Sequence, residues 1–229
     1  MKKLTVSMTR GEQLAGWSFL AAQQLLLPHL LAAVNTLPGL SMDALGLNVA
    51  FFAVSFLSTL LIFRRFLGRS LKQLLCRPLQ VLGIAVAGCI AYWFLSYLVG
   101  FLIFLLMPDF SNVNDSAITQ MAQNSFWLIA LCTVILVPVA EEALFRGLLF
   151  GCLYQRARLV GYLLSTAAFC AIHVVGYIGL YPWDVLLLCF VSYIPAGLCL
   201  SWAYVKTDCF FTPVIMHTII NAVSMFAMR

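Results

Sequence analysis

Long apolar runs alternate with short polar links along the whole chain. Seven of these runs approach or exceed the roughly 20 apolar residues that an α-helix needs to cross a bilayer. They cover approximately residues 14–37, 45–63, 79–107, 126–150, 159–178, 185–205 and 210–228. The pattern predicts an all-α, polytopic transmembrane helix bundle with seven spans, or with eight if the long third run forms two helices.

Two of the runs depart from a simple span. In the first run Pro28 lacks the backbone donor that a helix interior uses, so a kink is predicted there. The third run is long enough that it must tilt or break, and Gly100 is the expected breaking point. Residues 108–124, between the third and fourth runs, are polar and are predicted to form a loop. Residues 64–77 are predicted to be a basic link.

Composition agrees with a membrane protein. Hydrophobic residues make up 63% of the 229 residues and charged residues 9%, whereas a soluble domain carries about 25% charged residues. The net charge is +5, but the basic residues fall in short links and not on one soluble face, so nucleic acid is not an expected partner. The eight cysteines form no C-x-x-C pair and are interpreted as apolar packing residues.

The basic residues also predict an orientation, because Lys and Arg accumulate on the cytoplasmic side of a membrane. With seven spans and a cytoplasmic N-terminus, Arg229 falls outside and the other 12 of the 13 fall inside or at the inner edge. These are Lys2, Lys3, Arg10, Arg64, Arg65, Arg69, Lys72, Arg77, Arg146, Arg156, Arg158 and Lys206. We expect a multi-pass protein of the plasma (inner) membrane with its N-terminus in the cytoplasm.

The fourth run carries three ionisable side chains within six residues, Glu141, Glu142 and Arg146. A charge at the middle of a membrane helix costs about 2.5–3.5 kcal/mol on insertion scales, so these groups indicate a functional site. Glu142 and Arg146 are four residues apart and share a helix face, so they are expected to pair. Glu141 lies about 100° further round the helix and is left free.

Two later runs add polar groups at comparable depth. His173 lies in the fifth run, and His217 and Asn221 lie four residues apart in the seventh. At about 1.5 Å per residue, Glu141, His217 and His173 lie roughly 14, 10 and 20 Å from the inner ends of their spans. The four side chains can therefore meet in one layer, near mid-membrane or on its cytoplasmic side.

Such a cluster is sufficient in kind for hydrolysis of an amide by water. A carboxylate acts as general base, a histidine helps to hold the water, and a second histidine with an asparagine donates to the oxyanion. No cofactor is needed for this chemistry. Alternatively, Glu141, His173 and His217 could bind zinc, since two imidazoles and a carboxylate recur in zinc sites. Interhelical hydrogen bonds without catalysis, and a transporter that relays protons, are further alternatives.

The ordered motifs resemble a known family. Glu-Glu-x-x-x-Arg (141–146), Phe-x-x-x-His (169–173) and His-x-x-x-Asn (217–221) are similar to those of the CAAX prenyl protease and bacteriocin-processing family, often labelled Abi, which consists of intramembrane endopeptidases. The resemblance covers roughly residues 125–225. It implies that Glu141 and His173 activate the attacking water and that His217 and Asn221 form the oxyanion site. Glu142, Arg146 and Phe169 would be supporting residues.

The resemblance also predicts how the chain is divided. Residues 1–124 would be an accessory part with three spans, and residues 125–229 a catalytic core with four. The expected substrate is a peptide or a membrane protein within the bilayer, in a process such as bacteriocin maturation or immunity. A zinc-dependent form of the same protease, and a catalytically silent scaffold or immunity protein of the same fold, remain the alternatives.

Overall fold

The computed structural model describes residues 4–227 and residue 229, and within these residues it contains helices and no β-strand. The helices are α1 (Arg10–Leu25), α2 (Leu27–Val34), α3 (Ala44–Ile62), α4 (Arg64–Cys76), α5 (Pro78–Leu106), α6 (Val113–Tyr154), α7 (Arg158–Ile172), α8 (Trp183–Ser192), α9 (Ile194–Thr207) and α10 (Phe211–Ala227). A 3₁₀ turn, Val175–Tyr177, follows α7. The predicted all-α polytopic bundle is confirmed.

Fewer helices than the seven predicted spans are long and apolar enough to cross a membrane. Among the described residues, five helical stretches are long and apolar enough to cross a membrane, or six if α1 and α2 count as one broken span. These two helices meet at a bend of 54°, with Pro28 in the first turn of α2, where proline is well tolerated. The seventh predicted segment, α10, is apolar but has 17 residues, fewer than the roughly 20 that a straight span uses.

The third predicted run is one unbroken helix. The 29 residues of α5 continue from Pro78 to Leu106 through Gly100 without interruption. A Cβ added at Gly100 would meet no other atom within 4 Å, so this glycine lies in open surroundings. The predicted break at Gly100, and with it the division of this run into two spans, is wrong.

The predicted polar loop is also largely helical. Helix α6 begins at Val113, and the side chain of Asn112 caps it by accepting from two backbone N–H groups of the first turn. The helix kinks at Ser125, where φ is −156° and ψ is 72°, immediately before the predicted start of the fourth span. Apolar residues of this first part, including Ala122, pack with Met225 of α10. A capped, partly apolar helix thus replaces the loop that polarity alone suggested.

The basic link after α3 is a helix as well. In α4 the side chains of Phe66 and Ser70 are buried, whereas Arg64, Arg65 and Lys72 are exposed. Burial of one face and exposure of the basic face are typical of an amphipathic helix at a surface.

The second half of α6 forms the centre of the bundle. Every side chain from Glu142 to Leu148 is buried, and the largest buried cluster includes residues of α6, α7, α9 and α10. Close approach of α7 to α9 requires a glycine, because a Cβ at Gly197 would lie 2.5 Å from Cγ2 of Thr166. This approach brings the two helices against the charged face of α6.

We expect Gly197→Ala to destabilise the protein by about 1–3 kcal/mol, because an inserted methyl group overpacks a dense core. Adding Thr166→Ala should restore part of the loss by removing the clashing methyl. The measurement is the thermal unfolding midpoint in detergent, with Gly100→Ala in open surroundings as the matched control. Equal midpoints for Gly197→Ala and Gly100→Ala would contradict this packing.

Candidate functional site

The charged segment of α6 lies between two stretches of π-helix. Residues Cys132–Leu136 and Ala143–Phe150 are π-helical, and Val137–Glu142 between them is α-helical. Pro138 lies in this α-helical stretch and has no N–H to offer to the preceding turn. Widened turns of this kind are frequent at functional sites because they turn side chains away from a regular helical register.

Glu142 accepts hydrogen bonds from two cationic or potentially cationic groups. Its Oε1 lies 2.9 Å from Nη1 of Arg146 and 2.9 Å from Nδ1 of His217. Glu142 and Arg146 are both fully buried, at 0% exposure. The expected pair with Arg146 is therefore present, and the contact with His217 of α10 adds a partner that sequence spacing did not indicate.

Two further contacts stabilise Arg146. Its Nη2 donates to the carbonyl of Gly197 at 3.4 Å, and its guanidinium carbon lies 4.2 Å from the ring centroid of Phe169. A buried charge is tolerated only when it is paired and hydrogen-bonded, and an aromatic face adds a cation–π contribution. Phe169 also packs edge-on against Phe145. Arg146 thus ties α6 to α7 and α9.

Glu141 points away from this pair, as predicted. Its Oε2 lies 4.0 Å from Nε2 of His217, and among the described residues this oxygen accepts no hydrogen bond. Glu141 lines the main cavity, whereas Glu142 does not. The two adjacent glutamates therefore occupy different environments, one buried and paired and the other free at a cavity wall.

The protonation pattern of His173 follows from its partner. Nδ1 of His173 lies 2.8 Å from the carbonyl oxygen of Phe169. A carbonyl only accepts, so Nδ1 carries the proton and Nε2 of the neutral ring is an acceptor. The ring stacks on Tyr193 with centroids 4.2 Å apart.

Asn221 lies on the same helix as His217 and one turn further on. One N–H of its side-chain amide donates to the carbonyl of Thr133 at 2.8 Å. Thr133 belongs to the first π-helical stretch of α6, so this bond ties α10 to that stretch. Because an amide nitrogen has two N–H groups, a second donor of Asn221 is left for the cavity.

A cavity of about 680 Å³ brings the predicted residues together. Ligand pockets are typically roughly 300–1,000 Å³, so this volume suits part of a peptide. All four predicted catalytic residues and the supporting Phe169 line it, and so do polar residues from earlier helices. The latter are Gln23, Gln24, Asn48, Tyr92, Asn114 and Asp115.

The alternative zinc site does not fit this geometry. Among residues 4–227 and 229, no group of three His, Cys, Asp or Glu side chains lies close enough to hold a metal ion. The hydrogen bonds of both Nδ1 atoms leave each Nε2 available, as in histidines that bind zinc, so the misfit lies in the spacing of the side chains. Glu141, His173 and His217 therefore share a cavity without forming a ligand set.

Sequence reasoning missed several residues of the cavity. Asp115 was assigned to a loop, and Tyr193 was read as part of a continuous apolar span, although α8 ends there and α9 begins. Two signals were available. Asp115 is an acidic residue in a segment without Lys or Arg, and Pro195 marks a break in the sixth run.

Comparison with known proteins agrees with the motifs. A family model described as Rce1-like, Type II CAAX prenyl endopeptidase, matches residues 123–223. All three motifs lie inside the matched segment, and the family resemblance is confirmed there. The match supports, in general, a membrane-embedded protease of the CAAX type that acts on a peptide substrate. No curated protein and no solved structure gives a significant match to the chain.

We expect Glu142→Gln to destabilise the protein by about 3–5 kcal/mol, because Arg146 would become a buried charge without its counter-ion. The double variant Glu142→Gln/Arg146→Met should recover much of this loss, since no uncompensated charge remains. Thermal unfolding midpoints and the yield of monodisperse protein in detergent measure both effects. A stable, well-folded Glu142→Gln protein would show that this ion pair is not structural.

Proposed function

We propose that the protein is an intramembrane endopeptidase in which Glu141 and His173 activate a water molecule and His217 and Asn221 stabilise the oxyanion. The observation that carries the proposal is the shared cavity, because it collects these four side chains from three helices. The family match at residues 123–223 supports the general class. The roles of the four residues follow those that the family resemblance implies.

Water activation would use the acceptors that remain free at the cavity wall. The Glu141 side chain is 18% exposed and lines the cavity, and Nε2 of the His173 ring is an acceptor when the ring is neutral. A water held by both groups loses a proton to Glu141 as its oxygen forms a bond to the scissile carbonyl carbon. The carbonyl π electrons move to the oxygen. When the C–N bond breaks, Glu141 returns the proton to the leaving amine.

Oxyanion stabilisation would require His217 to carry two protons. Nδ1 of His217 donates to Glu142, so a second donor toward the substrate must come from a protonated Nε2. The remaining amide N–H of Asn221 supplies the second donor, in the manner of other oxyanion sites.

Cleavage of a quenched peptide library by the detergent-purified protein tests this proposal. We expect Glu141→Ala to lower the rate about 10²–10⁴-fold as the general base is lost, and His217→Ala to lower it about 10²–10³-fold as an oxyanion donor is lost. His29→Ala, at an exposed histidine, is the matched control and should cleave at the wild-type rate. Cleavage that persists in both site variants would refute the assignment.

A strong chelator, added to the same assay, separates the two protease mechanisms. Activity that is unchanged after chelation supports the carboxylate–histidine mechanism. Activity that vanishes and returns with zinc favours the metal-dependent alternative. A folded wild-type protein that cleaves no peptide favours a silent scaffold or immunity protein.

We also propose that the protein lies in the plasma membrane with its N-terminus in the cytoplasm and its cavity near the cytoplasmic half. The support is the distribution of Lys and Arg, most of which cluster on one side. Cys76, the one exposed cysteine in the described part of the chain, is the last residue of the basic helix α4. This position makes it a natural marker for that side.

We expect a membrane-impermeant maleimide to label Cys76 only after the cells are permeabilised, because the reagent cannot reach the cytoplasm. A matched variant, Cys76→Ala/Asp109→Cys, places the thiol in the link after α5 and should be labelled in intact cells. The measurement is the mass shift of the purified protein. The reverse labelling pattern would contradict the orientation.

A further inference from the structure

Tyr193 connects His173 to a polar cluster outside the three motifs. It lies at the junction of α8 and α9, with φ of −89° and ψ of −9°, and Pro195 follows in the first turn of α9. The Tyr193 and His173 rings are stacked, with planes 29° apart. The ring of Phe169 is a second aromatic neighbour of His173, at 4.8 Å between centroids.

The Tyr193 hydroxyl is held by three side chains from the start of α6. It donates to Oδ1 of Asp115 at 2.9 Å, lies 3.2 Å from Oδ1 of Asn112, and accepts from Nδ2 of Asn114 at 3.1 Å. A phenol has one proton to donate. The shorter contact to an ionised acceptor takes it, because hydrogen bonds to a carboxylate are stronger than those to an amide.

Asn112 is fixed in turn. It caps α6 through its side-chain oxygen, and its Nδ2 donates to the hydroxyl of Ser192 at 2.9 Å. The cluster therefore joins the start of α6 to the end of α8. The Tyr193 side chain begins at the end of α8 and is hydrogen-bonded through its hydroxyl to the start of α6. It therefore has little freedom to rotate, and its ring is a fixed surface for the imidazole of His173.

The Tyr193 ring determines the direction in which Nε2 of His173 points. The bond from Nδ1 to the Phe169 carbonyl sets the tautomer, but one hydrogen bond still permits rotation of the ring about it. Stacking on Tyr193 removes that freedom and fixes the plane that contains the Nε2 lone pair. His173 itself is the residue that ends α7, and its backbone N–H still donates to the carbonyl of Cys170.

We propose that Tyr193, anchored by Asp115, is a positioning residue that holds His173 in its working orientation; its catalytic consequence rests on the proposed protease function. The segment that sequence polarity assigned to a loop thus becomes part of the site. Tyr193 does not exchange a proton with substrate. It acts through the ring of His173.

An experiment that needs no enzymatic activity tests the orientation directly. The protein has three histidines, so selective ¹⁵N-histidine labelling in detergent gives three imidazoles, which the variants His29→Gln, His173→Gln and His217→Gln assign. In the wild type we expect His173 to carry its proton on Nδ1 and its ring protons to be shifted upfield by the Tyr193 ring current. Tyr193→Leu should remove the part of the upfield shift that the stacked tyrosine causes and leave the contribution of Phe169, whereas Tyr97→Leu, at an exposed tyrosine, should leave the whole shift.

Conservative variants keep the test decisive if Tyr193→Leu does not fold. Tyr193→Phe retains the ring but loses its anchor, and Asp115→Ala removes the strongest acceptor. Both should reduce the upfield shift and broaden the His173 signals. Signals of His173 that match the wild type in every folded variant at Tyr193 and Asp115 would overturn the proposal.

Kinetics then separate positioning from a merely structural role. We expect Tyr193→Leu to lower kcat about 10–100-fold, because small misplacement of a catalytic group is costly, with KM little changed. Tyr193→Phe, which keeps the stacked ring but loses the hydroxyl that anchors it, should recover only part of the lost kcat. If the protein cleaves no peptide, the protease proposal fails while the spectra still decide the orientation. Altered His173 spectra with a wild-type kcat would overturn the positioning role and leave the protease proposal intact.

Discussion

One buried carboxylate, that of Glu142, holds the centre of this structure together. Arg146 and His217 both donate to the same oxygen, and Arg146 continues the contacts to Gly197 and Phe169. Because a buried arginine must keep its counter-ion and its hydrogen bonds, helices α6, α7, α9 and α10 cannot shift independently. The contacts of Glu142 and Arg146 therefore also fix the shape of the cavity between these helices.

The same constraint gives two adjacent glutamates different roles. Glu142 neutralises Arg146 and orients His217, whereas the side chain of Glu141 lines the cavity and is 18% exposed. The Glu142–Arg146 ion pair thus leaves the neighbouring carboxylate of Glu141 free of a structural role in the apolar bundle. His173, Tyr193 and Asp115 also line the cavity, and there an aromatic stack and a hydrogen bond, not an ion pair, hold the side chains in place.

Much of this could be predicted from the sequence, because membrane helices are read from apolar length and intramembrane charges stand out against it. The meeting of Glu141, His173, His217 and Asn221 in one cavity followed from residue type and approximate depth. Boundaries were harder. Asn112 and Asp115 are residues of loops and of helix caps alike, so polarity alone assigned them to a loop. The contacts of His217 with Glu142 and of Tyr193 with Asp115 join residues 75 and 78 positions apart, and no local periodicity reports such contacts.

The division between the two glutamates is the central claim, and the isosteric variant Glu141→Gln tests it most directly. Its thermal unfolding midpoint and its rate of peptide cleavage should be measured on the same preparation. We expect a midpoint equal to that of the wild type and a cleavage rate lower by at least about 10²-fold. A wild-type cleavage rate, or a loss of stability as large as that caused by Glu142→Gln, would contradict it.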